Sequence, residues 1–338
     1  MDKKLGIKVA INAVAGSGKT SYIVKQLNNE TKKSLIITYT QANQQNIKEK
    51  IIAKFGYLPA NIYVYGYFEF LLNFIIKPLC PYEVENISYE NPSYKITSPF
   101  TKDKKRIFSN RMAKYIIDKL PEYKNRIDKY FDEVFIDEMQ DLASDDFRWM
   151  LSLSELIIPV TLVGDFYQST FASSRRGNHL GKLYDESCVY NEKLEESGFL
   201  IDATTLVESY RCTQTVCDFI KEHLEIKIDP KYNIISEIRL IEDIETIEQI
   251  LEDDSIVKLF YQNSMKFNIN SDNWGNSKGM TFNEVCVVLN DSTFNKYKQN
   301  KLNELAPLTK KKLYVACTRS NGNLWFIKQN DIVDKYKK

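Results

Sequence analysis

The sequence predicts an α/β protein built from two mostly parallel sheets, each flanked by helices. Apolar segments of strand length recur along the chain with helix-like segments between them, and this alternation is typical of parallel sheets covered on both faces. A glycine-rich turn separates the first apolar segment from a helix-like one. A second series of apolar segments begins after about residue 204 of the 338. The length alone is compatible with about two domains.

The first series of strands is expected within residues 1–200. Its apolar segments are Ile7 to Ile11, Leu35 to Thr38, Ile62 to Val64, Val134 to Ile136 and Val160 to Val163. Residues 79–126 begin with a stretch rich in Tyr, Pro, Asn and Ser that shows no period, so we expect a small irregular insertion there. The second series, expected within residues 201–338, consists of Ile256 to Tyr261, Val285 to Leu289 and Leu324 to Ile327, with a helix over Lys310 to Cys317.

The turn at Ala13 to Thr20, with the sequence AVAGSGKT, has the pattern of a phosphate-binding loop apart from Ala13 at the first glycine position. Its backbone N–H groups can surround a polyphosphate, Lys19 can reach the outer phosphates, and the Thr20 hydroxyl can bind Mg²⁺. A short GKT match arises by chance in some sequences, but a strand before it and a helix after it favour a nucleotide site. The residues predicted to bind the nucleotide here are Ala15, Gly16, Ser17, Gly18, Lys19 and Thr20.

The segment Phe131 to Asp141, FDEVFIDEMQD, places two acidic residues at the end of an apolar strand. Asp137 is the predicted second metal ligand, because carboxylate oxygen suits Mg²⁺. Glu138 is the predicted general base for an attacking water. Acidic residues in this position also occur simply as helix caps.

Three further segments carry polar residues that are ordinary when taken singly. Gln168 follows the strand-like VTLVGDF, Tyr210 and Arg211 lie in SYR, and Arg319 ends LYVACTR. A loop glutamine is usually solvated, and arginine and tyrosine side chains often pack or pair at a surface. A function is indicated only by the order of these segments along the chain together with the two segments described above.

The whole series resembles the superfamily 1 helicases of the UvrD, Rep and PcrA type from residue 13 to residue 327. The segments that carry the resemblance are AVAGSGKT for motif I, SLIITYTQANQQNIKEKI for motif Ia, DEVFIDEMQDLA for motif II, TLVGDFYQS for motif III, LVESYRC for motif IV, SKGMTFNEVCVV for motif V and KLYVACTRSNGNLWFI for motif VI. The resemblance implies two RecA-like P-loop NTPase lobes with ATP in the cleft between them.

The resemblance also implies roles for residues of the second lobe. Tyr210 would stack on the adenine, Arg211 and Arg319 would reach the γ-phosphate, and Gly279 would line the nucleotide pocket. Gln168 would report the phosphate state to the lobes. The implied catalytic set is Lys19, Glu138, Gln168, Arg211 and Arg319.

The nucleic-acid face departs from the family pattern. Where the family has a GTFHSF-like motif Ib, this chain has YGYFEF, which introduces an acid. The residues implied to contact a strand are Tyr39, Thr40 and Tyr67; packing of Tyr67 in the core is an equally good interpretation. The family's base-stacking platform is replaced by the segment from Phe171 to Gly177. The large accessory insertions of the family are reduced or missing.

Composition excludes several other classes of protein. The net charge is +1, so no global basic field points to nucleic acid. Six cysteines without CxxC spacing and only two histidines argue against a zinc site or a disulfide framework. We expect no signal peptide and no membrane span, and hence a cytoplasmic protein.

Three functions remain open from the sequence. The first is an ATP- and Mg²⁺-dependent single-stranded DNA translocase or DNA helicase. The second is a nucleic-acid-stimulated ATPase subunit of a larger repair, recombination or anti-phage defence complex, with a partner such as a nuclease and little unwinding of its own. The third is an ATP-driven switch that binds no strand.

Overall fold

The computed structural model describes residues 5–93, 95–170 and 182–338. The strands of its amino-terminal part are β1 (Lys8–Asn12), β2 (Ser34–Thr38), β3 (Ile62–Gly66), β4 (Asn86–Ser88), β5 (Arg106–Phe108), β6 (Glu133–Asp137), β7 (Val160–Gly164) and β8 (Leu200–Asp202). Six of them form one parallel sheet in the order β3-β2-β6-β7-β1-β8. Strands β4 and β5 form a separate parallel pair.

Helices cover both faces of this sheet. They are α1 (Lys19–Gln26), α2 (Gln41–Phe55), α3 (Tyr67–Phe70), α4 (Lys77–Leu79), α5 (Met112–Lys119), α6 (Tyr123–Tyr130), α7 (Asp145–Ser152) and α8 (Ser187–Glu196), with a π-helical turn at Leu71–Ile76. All residues of β2 are buried; Leu35 and Ile37 pack into one apolar cluster and Ile36 into another on the opposite face. Alternate side chains of a strand point to opposite faces, so both faces need a cover.

The carboxyl-terminal part contains a second parallel sheet. Its strands and helices are β9 (Glu208–Ser209), β10 (Asp229–Pro230), β11 (Ile238–Leu240), β12 (Ile256–Phe260), β13 (Ser271–Asn273), β14 (Glu284–Leu289), β15 (Leu324–Lys328), α9 (Gln214–Leu224), α10 (Ile244–Glu252), α11 (Asp291–Lys298) and α12 (Pro307–Cys317). The sheet order is β11-β15-β14-β12-β13, and β9 pairs separately with β10. The predicted α/β class with parallel sheets and flanking helices is confirmed.

The proposed division at residue 200 stays a prediction, but one pairing bears on it. Strand β8 pairs with β1, so residues 200–202 belong to the amino-terminal sheet.

In the described part of the chain, no helix is both long enough and apolar enough to cross a membrane.

The segment 79–126 is more regular than the irregular insertion that was expected. It contains β4, β5, α5 and the start of α6. Met112, Ala113 and Ile116 are buried in the main apolar cluster of the first sheet together with Trp149. Their spacing is that of one face of a helix, which explains why this stretch folds onto the sheet.

Parallel topology brings the polar loops together. The predicted phosphate-binding turn, Ala13 to Thr20, follows β1 and is called the phosphate loop below. Asp137 ends β6, and Asp165 follows β7, which lies between β6 and β1. Carboxyl ends of parallel strands meet at one edge of a sheet, and ligands of such folds bind there. The site is therefore expected at this edge.

Candidate active site

The phosphate loop requires glycine at two positions. Gly16 and Gly18 have φ angles of 73° and 81°, a region that disfavours residues with a Cβ. A Cβ on Gly16 would also lie 2.7 Å from the Cβ of Arg211 and 2.7 Å from Oγ of Ser209. The loop thus packs directly against the carboxyl-terminal part. Gly18 precedes α1, which begins at Lys19 and gives the loop the positive end of a helix.

Thr20 and Asp137 form an oxygen-rich pair beside this loop. The Thr20 hydroxyl donates a hydrogen bond of 2.9 Å to Oδ2 of Asp137. Burial, with a further contribution from Glu138, raises the pKa of Asp137 to about 7, while Lys19 and Thr20 act in the opposite direction. A hydroxyl and a carboxylate are donors that suit Mg²⁺, and a cation would favour the ionised form of Asp137.

Glu138 is held in an unusual backbone conformation next to Asp137. Its φ is 59°, in the left-handed region, and its N–H donates to Oδ1 of Asp137 at 3.0 Å. Burial opposes ionisation, but Lys19 and Lys278 outweigh it, and the pKa of Glu138 falls to about 2. The side chain is therefore an ionised carboxylate at neutral pH.

Lys278 lies between two carboxylates and was missed by the sequence analysis. Its Nζ is 2.7 and 2.8 Å from the carboxylate oxygens of Asp141 and 3.5 Å from Oε2 of Glu138. Burial lowers the pKa of Lys278, but Asp141 and Glu138 raise it beyond its ordinary value. This buried ion pair joins the two parts of the chain at the site.

Gln168 lies at the end of the short turn after β7. Its Nε2 donates to Oδ2 of Asp165 at 2.8 Å, and Asp165 is fully buried. The N–H of Asp165 in turn donates to Oε1 of Gln140 at 3.0 Å, and Nε2 of Gln140 donates to Glu138. Hydrogen bonds thus connect Gln168 through Asp165 and Gln140 to Glu138.

Two arginines of the carboxyl-terminal part, Arg211 and Arg319, line a cavity that Lys19 and Glu138 also line. Arg319 is 1% exposed, and its Nε donates to the carbonyl of Val315 at 2.9 Å. Arg211 donates from Nη1 to the carbonyl of Thr318 at 3.3 Å. Burial, with repulsion from Arg211, lowers the pKa of Arg319 to about 10, so Arg319 remains protonated at neutral pH.

One cavity brings most of the predicted residues together. Its lining residues are Gly16, Ser17, Gly18, Lys19, Thr20, Ser21, Asn43, Asn46, Lys50, Glu138, Gln168, Arg211, Gly279 and Arg319. Asn43, Asn46 and Lys50 were not predicted; Lys50 donates to Oγ of Ser21 at 3.1 Å. Their i, i+3, i+7 spacing places them on one face of α2, which is the signal that could have indicated them.

Two predicted nucleotide contacts do not line this cavity. The N–H of Ala15, expected to face phosphate, instead donates to the Tyr314 hydroxyl at 2.9 Å. Tyr210 is 57% exposed, and its N–H donates to the carbonyl of Gly16 at 2.9 Å. Its ring lies 6.2 Å from that of Tyr232. Adenine stacking by Tyr210 stays a prediction.

The three residues expected to contact a strand differ in accessibility. Tyr67 is 1% exposed and packs against Trp149, so its ring offers no free face to a base. This corrects its prediction as a stacking residue, because the α3 turn directs it into the core. Tyr39 is partly buried against Tyr67, and Thr40 caps α2 by accepting the N–H of Asn43. The segment from Phe171 to Gly177 lies outside the described residues.

The hydroxyl of Tyr67 donates to Oδ1 of Asp146 at 2.8 Å. Burial raises the pKa of Asp146 to about 7, and the hydrogen bond from Tyr67 offsets only part of this rise. The folded protein thus holds a proton at Asp146 that the unfolded chain, with an ordinary pKa of 3.8, releases. Stability contributed by Asp146 is therefore lost as the pH rises from about 4 to about 7 and remains lost above it.

We expect Asp146→Asn to remove this dependence on pH, because the amide stays neutral and can still accept the bond from Tyr67. Relative to wild type, its free energy of unfolding should gain about 1 to 2 kcal/mol more at pH 8 than at pH 5.5. Urea unfolding at the two pH values measures this difference. An equal change at both would contradict the assignment.

Comparisons with known proteins bear on the fold. Neither a protein-family model nor a curated protein matches the sequence. The structure of arterivirus nonstructural protein 10, a helicase, in complex with DNA is similar, with a TM-score of 0.50 and 14% identity over 95% of this chain and 61% of that chain. The PRRSV helicase gives a TM-score of 0.49 and 14% identity over 97% of this chain and 54% of that one.

At 14% identity, the similarity to arterivirus nonstructural protein 10 shows a shared fold. The chain spans less than two thirds of the length of these helicases.

Proposed function

We propose that this protein is an ATP-hydrolysing motor of the superfamily 1 helicase type that moves along single-stranded nucleic acid, with DNA as the expected strand. The observation that carries the proposal is the composition of one cavity. The phosphate loop, Glu138 and Gln168 line it from the amino-terminal part, and Arg211 and Arg319 line it from the other. Such a set combines phosphate binding, a base and charge stabilisation.

The cavity residues divide the chemistry of hydrolysis among them. Lys19 and the N–H groups of the loop bind the β- and γ-phosphates. The ionised Glu138 orients a water molecule and accepts its proton as the water oxygen attacks the γ-phosphorus. Arg211 and Arg319 stabilise the charge that spreads over the transferred phosphoryl group, and ADP leaves with the terminal oxygen.

Thr20 and Asp137 are the residues that would hold Mg²⁺. Their oxygen atoms are already within 2.9 Å of each other, beside the loop that binds phosphate. The ion would neutralise phosphate charge and favour the leaving group. The residues of the chain then orient the water and supply the arginines.

Hydrolysis can drive movement because Arg211 and Arg319 come from the second proposed lobe. Residues 1–200 and 201–338 form the two proposed lobes, and the nucleotide lies between them. Because Arg211 and Arg319 belong to the second lobe, full stabilisation of the transferred phosphate requires the lobes to be close. Alternating closure and opening would step the protein along a strand, as in UvrD-type translocases. Tyr39 and Thr40 remain the proposed strand contacts.

One observation favours a second candidate function. Tyr67, proposed for base stacking, is buried, and Glu69 lies on the same short helix. A strand-binding face reduced in this way suits an ATPase that works as a subunit of a larger complex, for example with a nuclease, and unwinds little duplex alone.

The test is the steady-state ATPase rate of the full chain with and without single-stranded DNA.

Lys19→Ala should weaken binding of a fluorescent ATP analogue by about tenfold or more, because it removes the cation that faces the phosphates. Lys25→Ala is the matched control, since Lys25 is an exposed residue of the same helix. It should leave both binding and turnover unchanged.

The outcomes separate the candidates. Turnover that rises strongly with DNA, together with movement along a strand, supports the motor. Turnover that rises with DNA but produces no unwinding of a tailed duplex favours the subunit. Absence of ATP binding by the wild-type protein, or equal binding by Lys19→Ala, would refute the proposed function.

A further inference from the structure

The hydroxyl of Tyr314 connects helix α12 to the phosphate loop. Tyr314 is fully buried. Its hydroxyl accepts the N–H of Ala15 at 2.9 Å and donates to Oδ2 of Asp165 at 3.0 Å. A phenol has one proton to donate and lone pairs to accept with, so both capacities are used here.

The acceptor Asp165 passes this contact on to Gln168. Oδ2 of Asp165 accepts from Nε2 of Gln168 at 2.8 Å as well as from Tyr314, and Oδ1 accepts the N–H of Tyr167 at 3.0 Å. Gln168 lines the nucleotide cavity. A continuous series of hydrogen bonds therefore runs from the phosphate loop through Tyr314 and Asp165 to Gln168.

The same end of α12 holds Arg319. The Thr318 hydroxyl donates to the carbonyl of Tyr314 at 2.8 Å, and Nη2 of Arg319 donates to that hydroxyl at 3.0 Å. Any displacement of the end of α12 thus moves the arginine and the tyrosine hydroxyl together.

The buried environment makes this connection costly to break. Burial, followed by the charge of Asp165, raises the pKa of Tyr314 well above its ordinary value, so the phenol keeps its proton at neutral pH. Loss of the hydroxyl would remove the acceptor of the buried Ala15 N–H and one of the two donors to Oδ2 of Asp165. Unpaired buried polar groups are strongly disfavoured.

We propose that Tyr314 is a positioning residue that ties the placement of the second sheet to the phosphate loop and to Gln168. ATP is then hydrolysed rapidly only when the Tyr314 hydroxyl contacts both Ala15 and Asp165. The position of α12 that makes these contacts also aligns Gln168 and brings Arg319 to the cavity. This inference rests on the proposed ATPase function and adds a second contact, besides the arginines, through which the second lobe controls the site.

Tyr314→Phe removes the hydroxyl and keeps the ring, its volume and its burial. We expect DNA-stimulated kcat to fall by about tenfold or more while KM for ATP changes less than about threefold, because the variant affects alignment more than binding. The matched control is Tyr184→Phe. Tyr184 is also buried, and its hydroxyl donates to the carbonyl of Leu142 at 2.7 Å within the first part of the chain. Its kcat should stay within about twofold of wild type.

A double-mutant cycle tests the route. If Tyr314 acts through Gln168, combining Tyr314→Phe with Gln168→Ala should lower kcat hardly further than Gln168→Ala alone. If the fold-reductions in kcat of Tyr314→Phe and Gln168→Ala multiply in the double variant, Tyr314 does not act through Gln168. If the wild-type protein hydrolyses ATP and Tyr314→Phe matches Tyr184→Phe, only the inference on Tyr314 falls. If the wild-type protein does not hydrolyse ATP, the proposed function falls and the inference falls with it.

Discussion

Glu138→Gln is expected to abolish turnover of ATP while leaving nucleotide binding intact. The substitution keeps the size and shape of the side chain and removes its capacity to accept a proton. Loss of a general base lowers kcat by about 100- to 10,000-fold. The dissociation constant for ATP should change by less than about threefold, because the loop and Lys19 supply the binding.

The surroundings of Glu138 make this variant informative. Lys278 keeps its two short contacts with Asp141 when the charge at Glu138 is removed, so the buried lysine stays paired. The left-handed backbone of Glu138 is as accessible to glutamine as to glutamate. A large loss of folded protein is therefore not expected, and the variant should report on chemistry.

Glu133→Gln is the matched control, because Glu133 lies at the other end of strand β6 and pairs with Ser34 and Lys32. The measurement is kcat from steady-state ATPase assays together with ATP affinity by equilibrium titration. Turnover within about threefold of wild type in Glu138→Gln would assign the base to another residue. A similar loss in both variants would point to damage to the strand.

Local pattern was sufficient to predict much of the fold and the glycine-rich turn between β1 and α1. The loop from Ala13 to Thr20 is determined by neighbouring residues, since glycine conformation, the strand before it and the helix after it all belong to one short segment. Asp137 and Glu138 could be predicted for the same reason, because an apolar strand fixes where its last residues lie. The recurrence of buried strands was enough to predict parallel sheets.

Two residues that sequence reasoning missed, Lys278 and Tyr314, depend on contacts between distant segments. The pairing of Lys278 with Asp141 and of Tyr314 with Ala15 joins positions more than 130 residues apart. No local period carries that information. Tyr67 is the reverse case, because an aromatic residue near a strand end can face a ligand or the core, and only packing against Trp149 decides between them.

Arg319→Ala is expected to produce the other large loss of turnover. Arg319 is buried yet lines the same cavity as the phosphate loop, where its charge would stabilise the transferred phosphoryl group. Arginines that act in this way are worth about 1,000- to 100,000-fold in kcat. ATP affinity should fall less than about tenfold, because Lys19 and the loop N–H groups remain.

A buried arginine also supports structure, so the interpretation depends on controls. Nε of Arg319 donates a hydrogen bond to the carbonyl of Val315, and Arg319→Ala removes this bond. The substitution also removes a charged neighbour of Arg211. Arg319→Lys preserves the charge but cannot reproduce the planar, forked geometry, and it should recover little activity. Arg239→Ala, in β11 and exposed, should be neutral. If Arg319→Ala retained the melting temperature of wild type and also its turnover, the second lobe would not contribute Arg319 to catalysis, and control of hydrolysis would rest on Arg211 and Tyr314.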